Sequence, residues 1–297
     1  MQIIKHKWVS LSFSILLTVV SVYGIVVFGL QKGIDFTGGT LWQIEINESV
    51  SREELTDFFH KDLNITEAVI TPDDNAGGFL IRAKEISEPL HQDYYRRLTE
   101  KFKTVTELGF QSIGATIGNE LVTKAIWAFG INLFAIALYV AYAFRKVSKP
   151  ISSWKYALIT LITLFHDALI PVGLMAFLGK YLGVEIDTNF IVAVLLVIGF
   201  SVHDTIVVFD RIRENLRTDH IGGTFGDLVN RSINETFARS VNTSLTLIIV
   251  LVALFILGPL ALKYFILSIL VGTVVGTYSS IFVASPLLVL WRGKESK

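Results

Sequence analysis

The chain has 297 residues, of which 52% are hydrophobic, and its mean hydropathy is +0.57. This composition is too apolar for an ordinary soluble domain, and the length allows six spans of about 20 residues plus one modest soluble domain. The formal net charge of zero gives no indication of a nucleic-acid partner, and the absence of cysteine excludes disulfides, thiolate metal sites and cysteine nucleophiles.

The first apolar run covers residues 10–30 and follows Lys5 and Lys7. It is longer than the apolar core of about 7–15 residues that a secretory signal peptide carries, and no clear small-residue cleavage site precedes Gln31. We therefore expect a retained membrane anchor.

The segment after this anchor carries the glycine-rich sequence Gly33-Ile34-Asp35-Phe36-Thr37-Gly38-Gly39. Glycine permits positive φ angles and close backbone approach, so the sequence predicts a tight turn that leads into a strand. A phosphate-binding loop is not favoured, because no lysine follows at the required spacing.

The region from residue 33 to residue 120 predicts a small α+β domain. Residues 40–46 alternate like a half-buried strand, and Ser51 with Glu54 forms a capping-box signal that opens a helix. Further strands and a second helix complete the order β-α-β-β-α-β, which is that of a ferredoxin-like unit. His60 and His91 are predicted to lie on helix surfaces, without the spacing of metal ligands.

Five more apolar runs follow, at residues 125–144, 156–178, 188–209, 240–262 and 264–291. The predicted fold is a polytopic α-helical membrane protein with six transmembrane helices and one α+β ferredoxin-like external domain between the first two. The predicted parts are residues 1–32 with the first helix, residues 33–120 as the external periplasmic domain, and residues 121–297 as a five-helix membrane domain.

Lysine and arginine concentrate in the short flanks at residues 5–7, 145–155, 211–239 and 292–297. The short loops on the opposite side hold only Lys180 and Lys263. By the positive-inside rule, both termini are predicted to be cytoplasmic and the α+β domain to lie outside.

Two apolar runs contain a histidine next to an aspartate: His166 and Asp167 in the third, and His203 and Asp204 in the fourth. A charge at the membrane centre costs about 2.5–3.5 kcal/mol on insertion scales, so such residues mark ion or proton pathways or paired charges. Asp204 precedes Asp210 by six residues, which places it about 9 Å inside the cytoplasmic end of a helix. We predict that Asp204 carries a proton.

Arg239 opens the fifth run and is the expected partner of Asp204, although it could serve instead as a positive-inside residue that reaches the interface. Pairing favours the ionised carboxylate and burial favours the neutral one, which is the competition that a proton carrier requires. Asp167 either joins this relay or holds the third span against the fourth. A metal site is not expected, because two isolated His-Asp pairs are a weak metal signal.

Three segments together resemble the SecD/SecF family of the resistance-nodulation-division superfamily. Residues 33–39 match the start of the family, residues 113–121 match a further motif at the second span, and residues 203–215 match its fourth-span signature. The external motif residues are Gly33, Asp35, Phe36, Gly38 and Gly39. The cytoplasmic motif residues, whose charges also suit membrane anchoring or contact with another subunit, are Asp210, Arg211, Arg213, Glu214 and Asn215.

The resemblance implies an accessory subunit of the bacterial Sec protein-export machinery in the cytoplasmic (inner) membrane, with no cofactor. Family members pair with SecD, which supplies the other six-span half. They use the proton-motive force to promote translocation of a polypeptide through SecYEG, with YajC and YidC as further partners. Asp204 and Arg239 fall at the family's motif positions. The coupling ion, H⁺ or Na⁺, stays open, as does titration of His166 and His203.

The sequence departs from the family pattern at Ala115, where proline is frequent, and at His203, where asparagine is frequent. Two alternatives remain: half of a small-molecule or lipid exporter of the same ancestry, and a scaffold that does not transport. An enzyme is not favoured, because no nucleophile–base pair or metal cluster is apparent. Gly272 and Gly276 form a small-xxx-small motif, which suits either contact with SecD or internal helix packing.

Overall fold

The computed structural model describes residues 1–46, 50–73, 78–145, 151–218 and 223–292. They belong to two compact units, one of Met1–Gln31 with Trp127–Lys297 and one of Lys32–Ile126. Within the described residues, six helical segments are long and apolar enough to cross a membrane: Ile4–Phe28, Ala115–Ala143, Ser153–Leu182, Thr188–Thr218, Phe225–Leu257 and Leu260–Trp291. The architecture is that of a polytopic α-helical membrane protein, as predicted.

The elements follow one another as α1 (Lys7–Phe28), α2 (Ile34–Thr37), β1 (Gly39–Ile46), α3 (Arg52–Asp57), β2 (Val69–Asp73), β3 (Gly78–Ala83), α4 (Glu88–Phe102), β4 (Val105–Ile113), α5 (Ala115–Ala143), α6 (Ser153–Leu182), α7 (Thr188–Thr218), α8 (Phe225–Leu257), α9 (Lys263–Ser279) and α10 (Ser285–Trp291). Single π-helical turns lie at Phe58–Asp62 and Ser280–Ala284.

Two membrane helices begin at least ten residues earlier than the apolar runs predict. Helix α5 begins at Ala115 rather than at residue 125, and α8 begins at Phe225 rather than at residue 240. In α5 the charged side chains of Glu120 and Lys124 end the apolar run, but they pair with each other at 2.8 Å along the helix and do not interrupt it. Hydropathy marks the apolar part of a helix, whereas backbone hydrogen bonds mark its ends.

The unit Lys32–Ile126 contains a four-stranded antiparallel sheet in the order β2-β3-β1-β4. The elements run β-α-β-β-α-β along the chain, with α3 and α4 as the two helices between strands. The predicted cap of α3 is present, because the Ser51 hydroxyl accepts a hydrogen bond from the Glu54 backbone N–H at 3.1 Å.

Trp42 on β1 is the centre of the core of this unit and is fully buried. Its ring makes edge contacts with Phe59, His91 and Phe110 at centroid distances of 5.9, 4.9 and 5.8 Å. Its indole N–H donates to Glu107 at 2.9 Å, so the one polar atom of the ring is satisfied.

The prediction that His91 lies on a helix surface was wrong. His91 is buried, stacks on Phe110 at 3.6 Å between ring centroids, and lies with its Nε2 at 2.6 Å from a Glu107 carboxylate oxygen. The amphipathic pattern of α4 could not reveal this, because a histidine can be buried where a facing strand supplies an aromatic ring and a carboxylate. The Nε2–H of His60 donates to the Ala68 carbonyl oxygen at 2.9 Å.

The glycine-rich segment makes a short helical turn followed by two glycines with positive φ. Gly38 has φ +72° and Gly39 has φ +120°, a region that disfavours other residues. A Cβ atom at Gly38 would lie 2.6 Å from the Ala115 Cα, so the backbones approach too closely for a side chain. The predicted tight turn into the first strand is present.

In the membrane unit, α1 and α6 pack closely because each helix has a glycine where the other helix contacts it. A Cβ atom at Gly24 of α1 would lie 2.6 Å from the Phe177 ring of α6, and one at Gly173 of α6 would collide with Ser21 of α1. Small residues at helix contacts let backbones approach within a bilayer, where dispersion contacts drive association.

The last membrane helix changes its hydrogen-bond pattern in the middle. The π turn Ser280–Ala284 separates α9 from α10, and Pro286 is the second residue of α10. Proline has no N–H and its ring crowds the carbonyl four residues earlier, so Pro286 disfavours regular α-helical hydrogen bonding at this point. The Ser285 hydroxyl donates to the Ser280 carbonyl at 3.1 Å, which satisfies one carbonyl of the altered turn.

Candidate functional site

The small-residue motif of α9 packs against α7 of the same chain. A Cβ atom at Gly272 would collide with Val197, and one at Gly276 would lie 3.0 Å from the Ser201 Cβ. The motif had been predicted to serve either contact with SecD or packing within the chain, and in this structure it packs within the chain. The close approach brings the polar residues of α6, α7 and α9 together in the interior of the membrane unit.

Asp167 on α6 is fully buried and joins three helices. One carboxylate oxygen lies 2.7 Å from Nδ1 of His166. The other accepts hydrogen bonds from the hydroxyl groups of Ser201 on α7 and, at 2.6 Å, of Ser279 on α9. The position of Asp167 at this junction agrees with both roles considered for it, in a relay and in holding α6 against α7.

Asp204 on α7 is only 5% exposed, and its carboxylate accepts a hydrogen bond from the hydroxyl group of Ser280. Ser280 is the first residue of the π turn that follows α9. The two aspartates therefore contact consecutive residues, Ser279 and Ser280, of one helix. π-Helical turns occur frequently at functional sites.

Each of these two serines has a second acceptor within reach. The Ser279 hydroxyl lies 3.0 Å from the Gly276 carbonyl oxygen, and the Ser280 hydroxyl lies 3.0 Å from the Thr277 carbonyl oxygen. A hydroxyl group has one proton to donate, so each serine can bond its aspartate or its own backbone.

The three other predicted relay residues, His166, His203 and Arg239, differ in their burial. His166 is buried beside Asp167, and its Nε2 has no hydrogen-bond partner among the described residues. His203 is exposed, because adjacent residues of a helix point about 100° apart and Asp204 occupies the buried face.

The structure does not bring Arg239 to Asp204. Arg239 is exposed and forms no ion pair with Asp204 in the part of the chain that the structure describes. The buried face of α8 at this level carries Thr236, Ser240 and Ser244, spaced by four residues, and Arg239 lies off that face. The observed partner of Asp204 is Ser280, and its pairing with Arg239 stays a prediction.

Three residues of the site were missed by the sequence reasoning: Ser201, Ser279 and Ser280. Two signals could have found them. Ser201 precedes Asp204 by three residues, which places both on one helix face, and Ser279-Ser280 is a pair of adjacent hydroxyl residues inside an apolar run. Serine is common in membrane helices, so neither signal alone is specific.

The cytoplasmic motif forms a network that joins α7 to α8. Arg211 bonds Glu235 and Glu214, each at 2.6 Å, and Asn215 donates to Glu235 and Ser232, each at 2.9 Å. Anchoring between helices accounts for these residues of the motif.

Arg213 completes the cytoplasmic motif with contacts of its own. It pairs with Asp210 at 2.5 Å and donates to the Ala143 carbonyl on α5 at 3.3 Å. The charges that follow the fourth apolar run therefore form bonds within α7 and from α7 to α5 and α8.

The external motif residues lie within the small unit. Gly33 precedes α2, Asp35 accepts a hydrogen bond from Gln111 of β4 at 3.1 Å, and Phe36 is buried. Together with the positive-φ glycines, these contacts fix the path of the chain into β1. Among residues 1–46, 50–73, 78–145, 151–218 and 223–292, no group of three or more histidine, aspartate or glutamate side chains is placed to hold a metal ion.

Two family descriptions match this chain. "Protein export membrane protein SecD/SecF, C-terminal" matches residues 94–294, and "SecD/SecF GG Motif" matches residues 23–50. Together they cover most of the membrane unit, α4, β4 and the glycine-rich segment.

Individual relatives agree with these matches. The chain is 40% identical to the protein translocase subunit SecF of Thermobaculum terrenum, over 99% of this chain and 95% of the relative. It is 37% identical to the protein translocase subunit SecDF of Thermus thermophilus, over 90% of this chain and 35% of the relative. The crystal structure of the Thermus SecDF, described as a translocon-associated membrane protein, matches with a TM-score of 0.81 at 33% identity, over 99% of this chain and 39% of that chain.

Proposed function

Because the chain belongs to the SecD/SecF family of protein-export membrane proteins, we propose that it is an accessory subunit of the Sec export machinery that couples export to the proton-motive force. The observation that carries the export role is similarity over nearly the full length to translocase subunits of one family. The proposed proton coupling has separate support, which is the burial of two carboxyl groups within the membrane unit.

The hydrogen-bond partners of the aspartates favour a proton as the coupling ion. Asp204 contacts the neutral hydroxyl group of Ser280, so its protonation leaves no cation unpaired in the interior. Asp167, with His166 and two serine hydroxyl groups, is proposed to take part in the same relay.

The energy that one proton gains in crossing the membrane can shift a conformational equilibrium, but it cannot complete a full switch. One charge that crosses 100 mV yields about 2.3 kcal/mol. A switch between 1:99 and 99:1 populations needs about 5.5 kcal/mol, so more than one proton, or a proton together with bound polypeptide, completes the cycle.

SecD is the partner of this chain. Relatives join the two proteins in a single SecDF chain, of which this protein matches 35% to 39%. We propose that SecD supplies the second six-span half, and that SecYEG, YajC and YidC are further partners. The translocating polypeptide is the proposed substrate.

The small α+β unit is proposed to be a ferredoxin-like domain outside the membrane. The sheet order β2-β3-β1-β4 supports this assignment, with domain limits at residues 33 and 120. The protein is a multi-pass protein of the bacterial inner membrane, and we propose that both termini are cytoplasmic.

Cysteine labelling tests the orientation, because the chain contains no cysteine of its own. Lys180 lies near the α6–α7 loop and Arg217 near the end of α7, and both are exposed. A membrane-impermeant maleimide added outside intact cells should label Lys180→Cys, and it should label Arg217→Cys only after the membrane is opened. The reverse pattern would overturn the orientation.

Reconstitution tests the function. Vesicles that contain this chain with SecD and SecYEG should export a precursor protein several-fold faster when a proton gradient is imposed, and an uncoupler should remove the increase. Gradient-driven efflux of a dye, without an effect on the precursor, would identify a small-molecule exporter. Equal export with and without the gradient would identify a scaffold.

A further inference from the structure

Ser279 and Ser280 are adjacent in the chain, and each contacts a different buried aspartate. Ser279 bonds Asp167 of α6 at 2.6 Å, and Ser280 bonds Asp204 of α7. We propose that these two serines are positioning residues that couple the protonation of Asp167 to the protonation of Asp204. The inference rests on the proposed function, in which each serine only contacts its own aspartate.

Each serine can exist in two hydrogen-bonded arrangements. When its aspartate is ionised, the hydroxyl proton points to the carboxylate, which can only accept. When the aspartate binds a proton, the new carboxyl O–H donates to the serine oxygen. The serine proton then turns to the carbonyl oxygen of Gly276 or Thr277, each at 3.0 Å. One proton is added and the hydroxyl group rotates, so the serine hydroxyl group and the carboxyl oxygen that it contacts stay hydrogen-bonded to each other in both arrangements.

The two rotations are linked because they use the same helical turn. The carbonyl acceptors at Gly276 and Thr277 are consecutive, and the hydroxyl donors one turn later are consecutive as well. A serine that bonds back to its own helix tends to bend the helix. A bend produced by one serine changes the position of the other, and the π turn that begins at Ser280 leaves this turn less regular than an α-helix.

Among the described residues, Ser279 and Ser280 link the two aspartates through one helix, and few ionisable groups surround them. His166 faces Asp167, whereas His203 and Arg239 are exposed. The Tyr278 hydroxyl is directed to α1, where it donates to the Ser10 carbonyl at 3.0 Å. Residues 8–28 of α1, residues 280–284 and α10 contain no acidic, basic or histidine residue.

Infrared titration of the carboxyl band tests the coupling in the membrane-embedded complex with SecD. The Asp204 band is assigned by its loss in Asp204→Asn. The titration midpoint of Asp204 is then compared with and without Asp167→Asn, in otherwise unchanged protein and in the double variant Ser279→Ala/Ser280→Ala. We expect Asp167→Asn to move the Asp204 midpoint by about one pH unit in unchanged protein. In the double variant the displacement should fall to a small fraction of that value.

Ser268→Ala is the matched control. Ser268 is buried on the same helix and donates to the Tyr264 carbonyl of its own helix at 2.7 Å, and no aspartate among the described residues bonds it. This variant should keep the full displacement. Ser279→Ala alone removes one hydroxyl group, and it should also reduce the displacement if the double variant does not assemble.

The possible failures are distinguishable. A displacement that keeps its size without the serines would overturn the coupling and leave the proton-carrying role of Asp204 intact. If Asp167→Asn does not move the Asp204 midpoint in otherwise unchanged protein, the coupling is overturned as well. An Asp204 band that does not change between acid and alkaline pH would overturn the proposed proton role together with this inference.

Discussion

Replacing Asp204 with asparagine is expected to abolish gradient-dependent export while the chain still inserts into the membrane and binds SecD. Asparagine has nearly the size of aspartate, and its amide can keep a hydrogen bond with Ser280. It cannot bind or release a proton over the physiological range. The variant should therefore export at the rate that the unchanged protein shows without a gradient.

Proteoliposomes with an imposed proton gradient provide the measurement, and recovery of SecD with the purified chain confirms assembly. His203→Asn is the matched control, because it introduces the same residue at the adjacent, exposed position. We expect this control to retain gradient-dependent export. If Asp204→Asn exported as well as the unchanged protein in the same gradient, Asp204 would not carry the coupling proton.

The second large effect is expected from Trp42→Ala in the small unit. Trp42 is fully buried between Phe59, His91 and Phe110, and truncation of a large core aromatic costs about 3–5 kcal/mol. The loss also leaves the Glu107 carboxylate without the indole donor. A cost of this size is a large part of the stability of a domain of this length, so the unit Lys32–Ile126 should unfold readily.

Hydrogen exchange of the full chain in membranes would measure this loss, with amides of β1 and β4 as reporters. Leu108→Ala is the control, because Leu108 lies on the same sheet but is 43% exposed. Amide protection in the control should change little, since surface substitutions usually alter the free energy of unfolding by less than about 0.5 kcal/mol. Full protection in Trp42→Ala would contradict the assignment of Trp42 to the centre of the core.

The sequence predicted the membrane helices from their apolar composition, and it predicted the burial of Asp204 and Asp167 from the same runs. Composition could not locate the ends of α5 and α8, where polar residues continue the helix. It also could not give the rotation of α8, so the partner of Asp204 was sought at Arg239 rather than at Ser280. Helix rotation is decided by packing between helices, which a single sequence does not display.

In the small unit, too, local features were predicted and contacts between distant residues were not. The alternating strand before residue 46 and the Ser51 cap follow local rules, and both were predicted. The burial of His91 depends on Phe110 and Glu107, which lie on a strand beyond its own helix. Side chains that depend on distant partners are therefore the ones that local sequence patterns describe least well.

The π turn Ser280–Ala284 also sets how this helix tolerates a change in length. A π turn closes between residues five apart and an α-helical turn between residues four apart, so the segment contains one additional residue. Deletion of a single codon here would remove that additional residue and let the turn close as an α-helical turn, so the residues after it would keep their orientation about the helix axis. Leu288, now fully buried, would stay in the core. Deletion of one residue from a regular α-helical stretch would instead rotate everything after it by about 100° and carry its buried side chains out of the core.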